Sequence, residues 1–106
     1  MTVEKAIAIT DEIKENTQHE ETKLAWINEV EGRIFCELLK NDPSDFKPHI
    51  SIEEDLFLPE VYARIYILYL VSMVSFKNSD YEAYSRAMIE YENSFSEYAR
   101  YLIRNR

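Results

Sequence analysis

The segment from Val61 to Phe76 reads VYARIYILYLVSMVSF and contains one charged residue, Arg64. A helix that is apolar around almost its whole circumference must be covered on nearly every side. The next segment, Tyr81 to Leu102, instead repeats large apolar side chains every three or four residues, which places them on one helical face. The residues on that face are Tyr81, Tyr84, Met88, Tyr91, Phe95, Tyr98 and Leu102. The sequence therefore predicts a central helix packed against an amphipathic last helix, with Ser79 and Glu82 at the spacing of a capping box between them.

Two more helices are predicted before this pair. Thr2 is a suitable N-cap for a short amphipathic helix that runs to about Asn16. A second helix is expected to begin near Thr17 to Glu20, and Gly32 within it favours a close approach by another helix. Its wide apolar stripe comprises Leu24, Trp26, Ile27, Val30, Ile34, Phe35, Leu38 and Leu39. We expect this helix to pack against at least two neighbours.

Residues 41–59 form the one long irregular connection in the chain, between the second and third helices. The segment contains all three prolines, Pro43, Pro48 and Pro59, and its length exceeds that of ordinary connections. We expect a short strand or a turn within it, around His49 to Ile52. Its end is expected to dock through Leu56, Phe57 and Leu58, and Pro59 suits the first turn of the third helix.

The length and composition favour an all-α protein in which residues 1–106 form a single helical domain. A chain of 106 residues supports one core, and one glycine with three prolines suits a few long helices better than many short strands. Cys36 is the only cysteine, so no internal disulfide is possible, and its apolar surroundings predict a buried, unreactive thiol. Residues 65–76 carry no charge, but a membrane-spanning helix needs about twenty apolar residues, so no membrane span is expected.

The net charge of −8 lies entirely in the first half of the chain. Residues 1–58 hold 14 acidic and 6 basic residues, whereas residues 59–106 hold 6 of each. An acidic surface repels phosphate backbones, so specific or tight recognition of nucleic acid is not expected. The first residues carry acids within an amphipathic pattern, unlike a secretory leader, so the protein is expected to remain where it is made.

The sequence contains no recognisable catalytic, cofactor-binding or metal-binding residues. The acidic clusters Asp42 with Asp45 and Glu53-Glu54-Asp55 lack the ligand alternation and glycine of a calcium loop, and we interpret them as solvated loop charge. His19-Glu20-Glu21 lacks the second histidine of a zinc helix. Because no polar pocket with convergent titratable groups is indicated, we expect a protein that is not an enzyme.

Glu31 and Arg64 are charges within otherwise apolar faces. One hypothesis is that they form an ion pair between the second and third helices; the alternative is that each long side chain reaches solvent separately.

The eight tyrosines also allow two interpretations: core residues with their hydroxyls at the rim, or a surface for protein contacts. We expect the main stripe to be core, and Ile89 and Tyr101, which lie off it, to belong to an interface.

Three segments resemble small proteins of tailed-bacteriophage head-tail modules. Residues 23–34, KLAWINEVEGRI, resemble a K-x-x-W-L-x-E-L-D-G-R-I pattern. Leu58-Pro59 followed by Tyr62, Ile65, Tyr66, Tyr69 and Leu70 is similar to an L-P-x-P-Y-x-x-L-Y-x-x-Y-L helix, with Val61 where the pattern has proline. Residues 84–101 are similar to the tyrosine- and asparagine-spaced final helix of those proteins. The three segments occur in the same order and cover most of the chain.

This resemblance implies a head-tail connector, also called an adaptor or head-completion protein. Such a protein is part of the virion, is assembled in the cytoplasm of the bacterial host, and joins the portal of the DNA-filled head to the tail. The resemblance also implies a ring of about a dozen copies in contact with the portal and tail-side proteins. We expect the long loop and the last helix to make those contacts. An acidic channel surface would let DNA pass without adhering.

A second hypothesis follows from the charge distribution alone. A small acidic helical protein could act as a regulator or inhibitor that binds a basic, nucleic-acid-binding protein. It would then be a discrete monomer or dimer whose binding weakens with salt.

Overall fold

A computed structural model describes residues 1–105 of the chain. Four α-helices are present: α1 (Val3–Ile13), α2 (Glu20–Arg33), α3 (Arg64–Lys77) and α4 (Tyr81–Arg104). A turn of π-helix (Ile34–Leu38) extends α2, a short 3-10 turn (Pro43–Asp45) lies in the long connection, and a second (Glu60–Tyr62) lies between that connection and α3. Within residues 1–105 there is no strand, and none of the helices is long and apolar enough to cross a membrane. The predicted all-α class with four helices is confirmed.

The helix α3 is central, as predicted. It packs against α1, α2 and α4, but it is not covered on nearly every side as predicted, because Ile67 and Val71 are half-buried and Phe76 is exposed. Its buried residues are Ile65, Tyr66, Leu68, Leu70, Ser72, Val74 and Ser75. The α-helix begins at Arg64, later than the apolar run, because Pro59 first caps the 3-10 turn Glu60–Tyr62.

The predicted face of α4 packs against α3 at most of its positions. Tyr91, Phe95 and Tyr98 are buried, while Tyr84, Met88 and Leu102 are half-buried. Tyr81 is exposed, and its ring meets that of Phe76 edge-on with 5.6 Å between centroids. The prediction is therefore wrong for Tyr81, which lies in the first turn of α4 at the rim of the core.

The turn between α3 and α4 is built differently from the predicted capping box. Ser79 has a φ of 61°, so α3 ends in a left-handed conformation. The N–H of Ser79 donates to the Phe76 carbonyl, and the N–H of Asp80 donates to the Ser75 carbonyl. Asp80 is the N-cap of α4, because its Oδ1 accepts from the N–H of Ala83 at 3.2 Å. The assignment of Ser79 as the cap is thus wrong by one residue.

The first helix lies against both α3 and the long connection. The Thr2 hydroxyl caps α1 as predicted, accepting from the N–H of Lys5 at 3.2 Å. Backbone hydrogen bonds then join the chain start to the end of the connection: the N–H of Val3 donates to Glu54, and the N–H of Leu56 donates to Met1. The residues that α1 buries are Val3, Ala6, Ile7 and Thr10.

The stripe predicted for α2 is buried at its centre and open at its end. Trp26, Ile27, Val30 and Ile34 are buried, whereas Leu39, beyond the π turn, is exposed. Cys36 is half-buried, more accessible than predicted. Gly32 faces the ring of Phe46 from the long connection and not another helix, so the predicted helix-helix approach at Gly32 is wrong.

The long connection folds as ordered turns over the outside of α2 and α3. The expected local element is a turn, in which the N–H of Glu54 donates to the Ser51 carbonyl. Leu56 and Leu58 dock into the core as predicted, while Phe57 between them is exposed. The connection is therefore attached to the core at its end by alternate residues.

Candidate functional site

Glu31 is the centre of a buried polar cluster. Its side chain is fully buried on α2, and its carboxylate accepts hydrogen bonds from the Tyr66 hydroxyl, from Nε2 of His49 at 2.7 Å and from the N–H of Phe57 at 3.0 Å. A buried carboxylate is tolerated only when such donors replace the lost water. We call Glu31, His49, Glu54 and Tyr66 the polar clamp.

His49 lies between two carboxylates of the polar clamp. Its Nε2 faces Glu31 and its Nδ1 faces Glu54 at 3.1 Å, so the imidazolium can donate to a carboxylate on each side. Burial alone would lower the pKa of His49, but the hydrogen bonds to Glu31 and Glu54 outweigh it and raise that pKa. The backbone of His49 is also fixed, because its N–H and carbonyl both bond to the side-chain amide of Asn28.

Glu54 connects the polar clamp to the tip of the turn. Its Oε2 accepts from the N–H groups of Ile50 and Ser51, both at 2.8 Å. The hydrogen bond from His49 and those two N–H groups lower the pKa of the Glu54 carboxyl. The interpretation of Glu53-Glu54-Asp55 as solvated charge is therefore wrong for Glu54, whose carboxylate orders the turn.

Tyr66 closes the polar clamp from α3. Its hydroxyl donates to Glu31 and accepts from the N–H of Leu58 at 3.1 Å. Burial and the neighbouring Glu31 charge raise the pKa of this hydroxyl. Since both carboxylate oxygens of Glu31 already accept protein hydrogen bonds, the arrangement acts to hold the long connection onto α2 and α3.

The predicted ion pair between Glu31 and Arg64 is wrong. Arg64 is exposed in the first turn of α3 and contacts Glu90 of α4 at 3.2 Å. Glu31 is paired instead with His49, which the connection brings to α2. Of the two predicted behaviours, Arg64 therefore follows the alternative in which its side chain reaches solvent.

A second polar contact joins α2 to α4. The guanidinium of Arg33 binds both carboxylate oxygens of Glu92, at 3.0 and 3.1 Å, and lies over the Phe95 ring at 3.8 Å from its centroid. Its Nη1 also donates to the Tyr91 hydroxyl at 3.3 Å. The guanidinium therefore makes paired hydrogen bonds to Glu92 through its edge and a cation–π contact with Phe95 through its face.

The exposed apolar residues define the candidate interaction surface. Ile89 is 62% exposed and Tyr101 is 37% exposed, so both lie off the core stripe as predicted. The tyrosines divide between the two interpretations, because Tyr66, Tyr91 and Tyr98 are buried while Tyr81 and Tyr101 are exposed. Ile50 in the long connection is 89% exposed, and Val61 in the 3-10 turn Glu60–Tyr62 is 85% exposed.

An apolar groove of about 450 Å³ lies between α1, α3 and α4. Its apolar lining includes Ile9 and Ile13 from α1 and Ile67, Leu68 and Val71 from α3. The charged lining residues are Arg64, Arg86 and Glu90. Its lining is mainly apolar, and we refer to it as the α1–α4 groove.

Residues 1–105 contain no group of three histidine, cysteine or acidic side chains placed to hold a metal ion. The sequence pattern marked Glu31 as unusual but did not indicate His49 and Tyr66 as its partners, or Glu54 as the second partner of His49. The signal available in the sequence was a histidine within an acidic, proline-bearing connection. Such a histidine does not indicate which residue it contacts, and Glu31 lies 18 positions away.

Comparison with protein families, with curated proteins and with solved structures found no match to this chain.

Proposed function

We propose that this chain is a structural protein of a tailed-bacteriophage virion, a head-tail connector that joins the portal of the DNA-filled head to the tail. It would act by shape and apolar contact in a ring of about a dozen copies, without catalysis and without a cofactor. The proposal comes from the ordered resemblance of three segments to proteins of head-tail modules.

The observation that carries the proposal is where the resembling residues lie. Several of them connect different elements: Lys23 of α2 pairs with Asp11 of α1 at 2.8 Å, and Arg33 of α2 binds Glu92 of α4. Glu31, at the acidic position of the same pattern, binds Tyr66 of the second segment. Helix periodicity alone does not account for these polar contacts between elements, and this supports treating the first segment as more than a periodic pattern.

The exposed apolar residues support an assembly function. Apolar surface is presented to solvent by Ile50 of the long connection, by Val61 of the 3-10 turn that follows it, and by Ile89 and Ile103 of α4. Connections and terminal helices are the elements expected to meet neighbouring proteins in such a ring. Contacts of this kind require fixed shape, and the polar clamp supplies it by ordering the connection before assembly.

The gene-deletion phenotype tests this function. Deleting the coding sequence from the phage or prophage genome that carries it is expected to yield DNA-filled heads and free tails that do not join, as seen by electron microscopy. A plasmid copy of the wild-type gene should restore complete particles. Complete, infectious virions in the absence of the gene would contradict the proposal.

The charge distribution favours one alternative, an acidic regulator that binds a basic protein. It predicts a discrete monomer or dimer and salt-sensitive capture of a nucleic-acid-binding protein. A normal deletion phenotype together with such capture would support it over the connector.

A further inference from the structure

Ile50 is an apolar side chain on an ordered turn. It is 89% exposed, yet its own N–H and that of Ser51 are held by Glu54 at 2.8 Å. The preceding residue, His49, is fixed by Asn28 and by the polar clamp. An exposed isoleucine on such a turn can enter a partner with little further loss of conformational freedom.

The surroundings of Ile50 are acidic. The segment from Pro48 to Ala63 contains Glu53, Glu54, Asp55 and Glu60 and no lysine or arginine, and its one histidine, His49, is buried within the polar clamp. Glu20 and Glu21, in the first turn of α2, line the same shallow depression as Ile50. Any surface that receives this side chain must therefore accept negative charge around it.

The α1–α4 groove has the complementary character. Its lining is mainly apolar, and its charged residues are Arg64, Arg86 and the single acid Glu90. On a protein of net charge −8, an apolar concavity with two arginines is a favourable site for an apolar side chain that is surrounded by acidic residues. Arg64 pairs with Glu90 and Arg86 with Glu82, but these pairs are exposed, so exchanging their partners costs little.

We propose that Ile50 of one copy inserts into the α1–α4 groove of a second copy, with the acidic residues around it facing Arg64 and Arg86. Ile50 lies beside α2, whereas the groove is formed by α1, α3 and α4. Each subunit therefore carries the inserted side chain on one surface and the groove that receives it on another. Contacts between two different surfaces repeat head to tail and generate rings when the rotation closes. This inference deepens the proposed connector function and rests on it for the choice of a second copy as the occupant.

Cysteine cross-linking tests the contact directly in the full-length protein. In a Cys36→Ala background, one preparation carries Ile50→Cys and a second, distinguished by a size tag, carries Val71→Cys in the groove. Mixed at high protein concentration under mild oxidation, they are expected to form a disulfide-linked heterodimer. A control mixture replaces Val71→Cys with Ser96→Cys, which is exposed on α4 outside the groove. Cross-linking of Ile50→Cys with Val71→Cys should be at least several-fold faster than with Ser96→Cys.

Point variants provide a second measurement that does not depend on disulfide formation. Ile50→Asp removes the apolar projection at a fully accessible position, so the fold is retained and self-association should weaken about tenfold or more. Arg86→Glu should also weaken it, whereas Ile103→Asp, an exposed isoleucine elsewhere, should leave it unchanged. Sedimentation velocity over a range of protein concentrations measures all three variants.

Equal cross-linking in the two mixtures, or unchanged association of Ile50→Asp, would overturn this docking contact. Preferential formation of Ile50→Cys homodimers would overturn it too, because it indicates a symmetric contact. None of these results alters the deletion phenotype, so failure of the contact and failure of the connector function are distinguishable.

Discussion

The Glu31 carboxylate on α2 lies 2.7 Å from Nε2 of His49 in the long connection, and both side chains are buried. This contact joins residues 18 positions apart and decides how the connection lies over the helices. The Tyr66 hydroxyl completes it from α3. The shape of the proposed contact surface therefore depends on a small set of charged and polar groups within the core.

Replacing Glu31 with glutamine should strongly destabilise the protein. The change removes the carboxylate that faces the His49 imidazolium and leaves a buried cation partly uncompensated, at a cost of about 3–5 kcal/mol. Chemical denaturation followed by circular dichroism measures the free energy of unfolding. Glu29→Gln is a matched control, because Glu29 accepts from the Tyr69 hydroxyl at an exposed site on the same helix. The control should lose less than about 1 kcal/mol; equal losses in the two variants would contradict the clamp.

Replacing Tyr66 with phenylalanine tests the α3 side of the polar clamp. The variant keeps the ring but removes the partner of both Glu31 and the N–H of Leu58. Leaving buried polar groups unsatisfied costs about 1–3 kcal/mol. Tyr69→Phe, which loses only the exposed bond to Glu29, should cost less, and the two variants are compared in the same denaturation experiment. A Tyr66→Phe protein as stable as wild type would show that the hydroxyl is dispensable.

Stability should fall as the pH rises above about 6.5, the ordinary pKa of histidine. The folded state raises the pKa of His49, so protonation of His49 contributes stability that is complete below 6.5 and is lost as pH rises through the higher, folded pKa. Denaturation curves at a series of pH values should show this decline for wild type and for His19→Gln, the other histidine. His49→Gln should be less stable and should not show the decline; a decline of wild-type size in His49→Gln would assign it to another group.

At acidic pH, Glu54 should make the free energy of unfolding fall as the pH falls, which is the opposite direction to the effect of His49. Its pKa is lowered in the folded state from an ordinary value of 4.5, so its contribution is present above 4.5 and is lost as pH falls through the lower, folded pKa. Glu54→Gln should therefore lose less stability than wild type on acidification. Amide hydrogen exchange at Ile50 and Ser51 reports the same event locally, because Glu54 accepts from both N–H groups.

Replacing Gly32 with alanine should stabilise the protein. An added Cβ would lie 3.6 Å from the nearest atom of the Phe46 ring, an ordinary contact distance, and alanine is favoured over glycine within a helix by about 0.5–1 kcal/mol. The gain should appear as a higher denaturation midpoint with an unchanged slope. A loss of stability would mean that Phe46 cannot accommodate the methyl group; Gly32→Ala in a Phe46→Ala background would then recover the gain.

The helical architecture follows from local patterns and could be predicted. The uniform apolar run of α3 and the spaced tyrosines of α4 specify buried faces through periodicity alone. The error at Arg64 has a local cause: Pro59 delays the start of α3, so Arg64 lies in its first turn, where a long side chain reaches solvent.

The polar clamp could not be predicted, because its contacts are not local. Glu31 was conspicuous as an acid in an apolar stripe, but nothing in the sequence specifies that the turn at His49 folds back onto it. The same holds for Gly32, which faces Phe46 of the connection. Contacts between an irregular segment and a helix depend on the path of the chain, and periodicity carries no information about that path.

The solution mass of the purified protein, measured by light scattering over wide ranges of protein and salt concentration, tests the central claim of ring assembly most directly. Ring assembly predicts a mass that rises with protein concentration from that of the 12.6 kDa chain towards a closed assembly of about a dozen copies. Under the same conditions, the mass of the Ile50→Asp protein should show little or no such rise. A fixed dimer at every concentration and salt would contradict ring assembly and favour the acidic regulator.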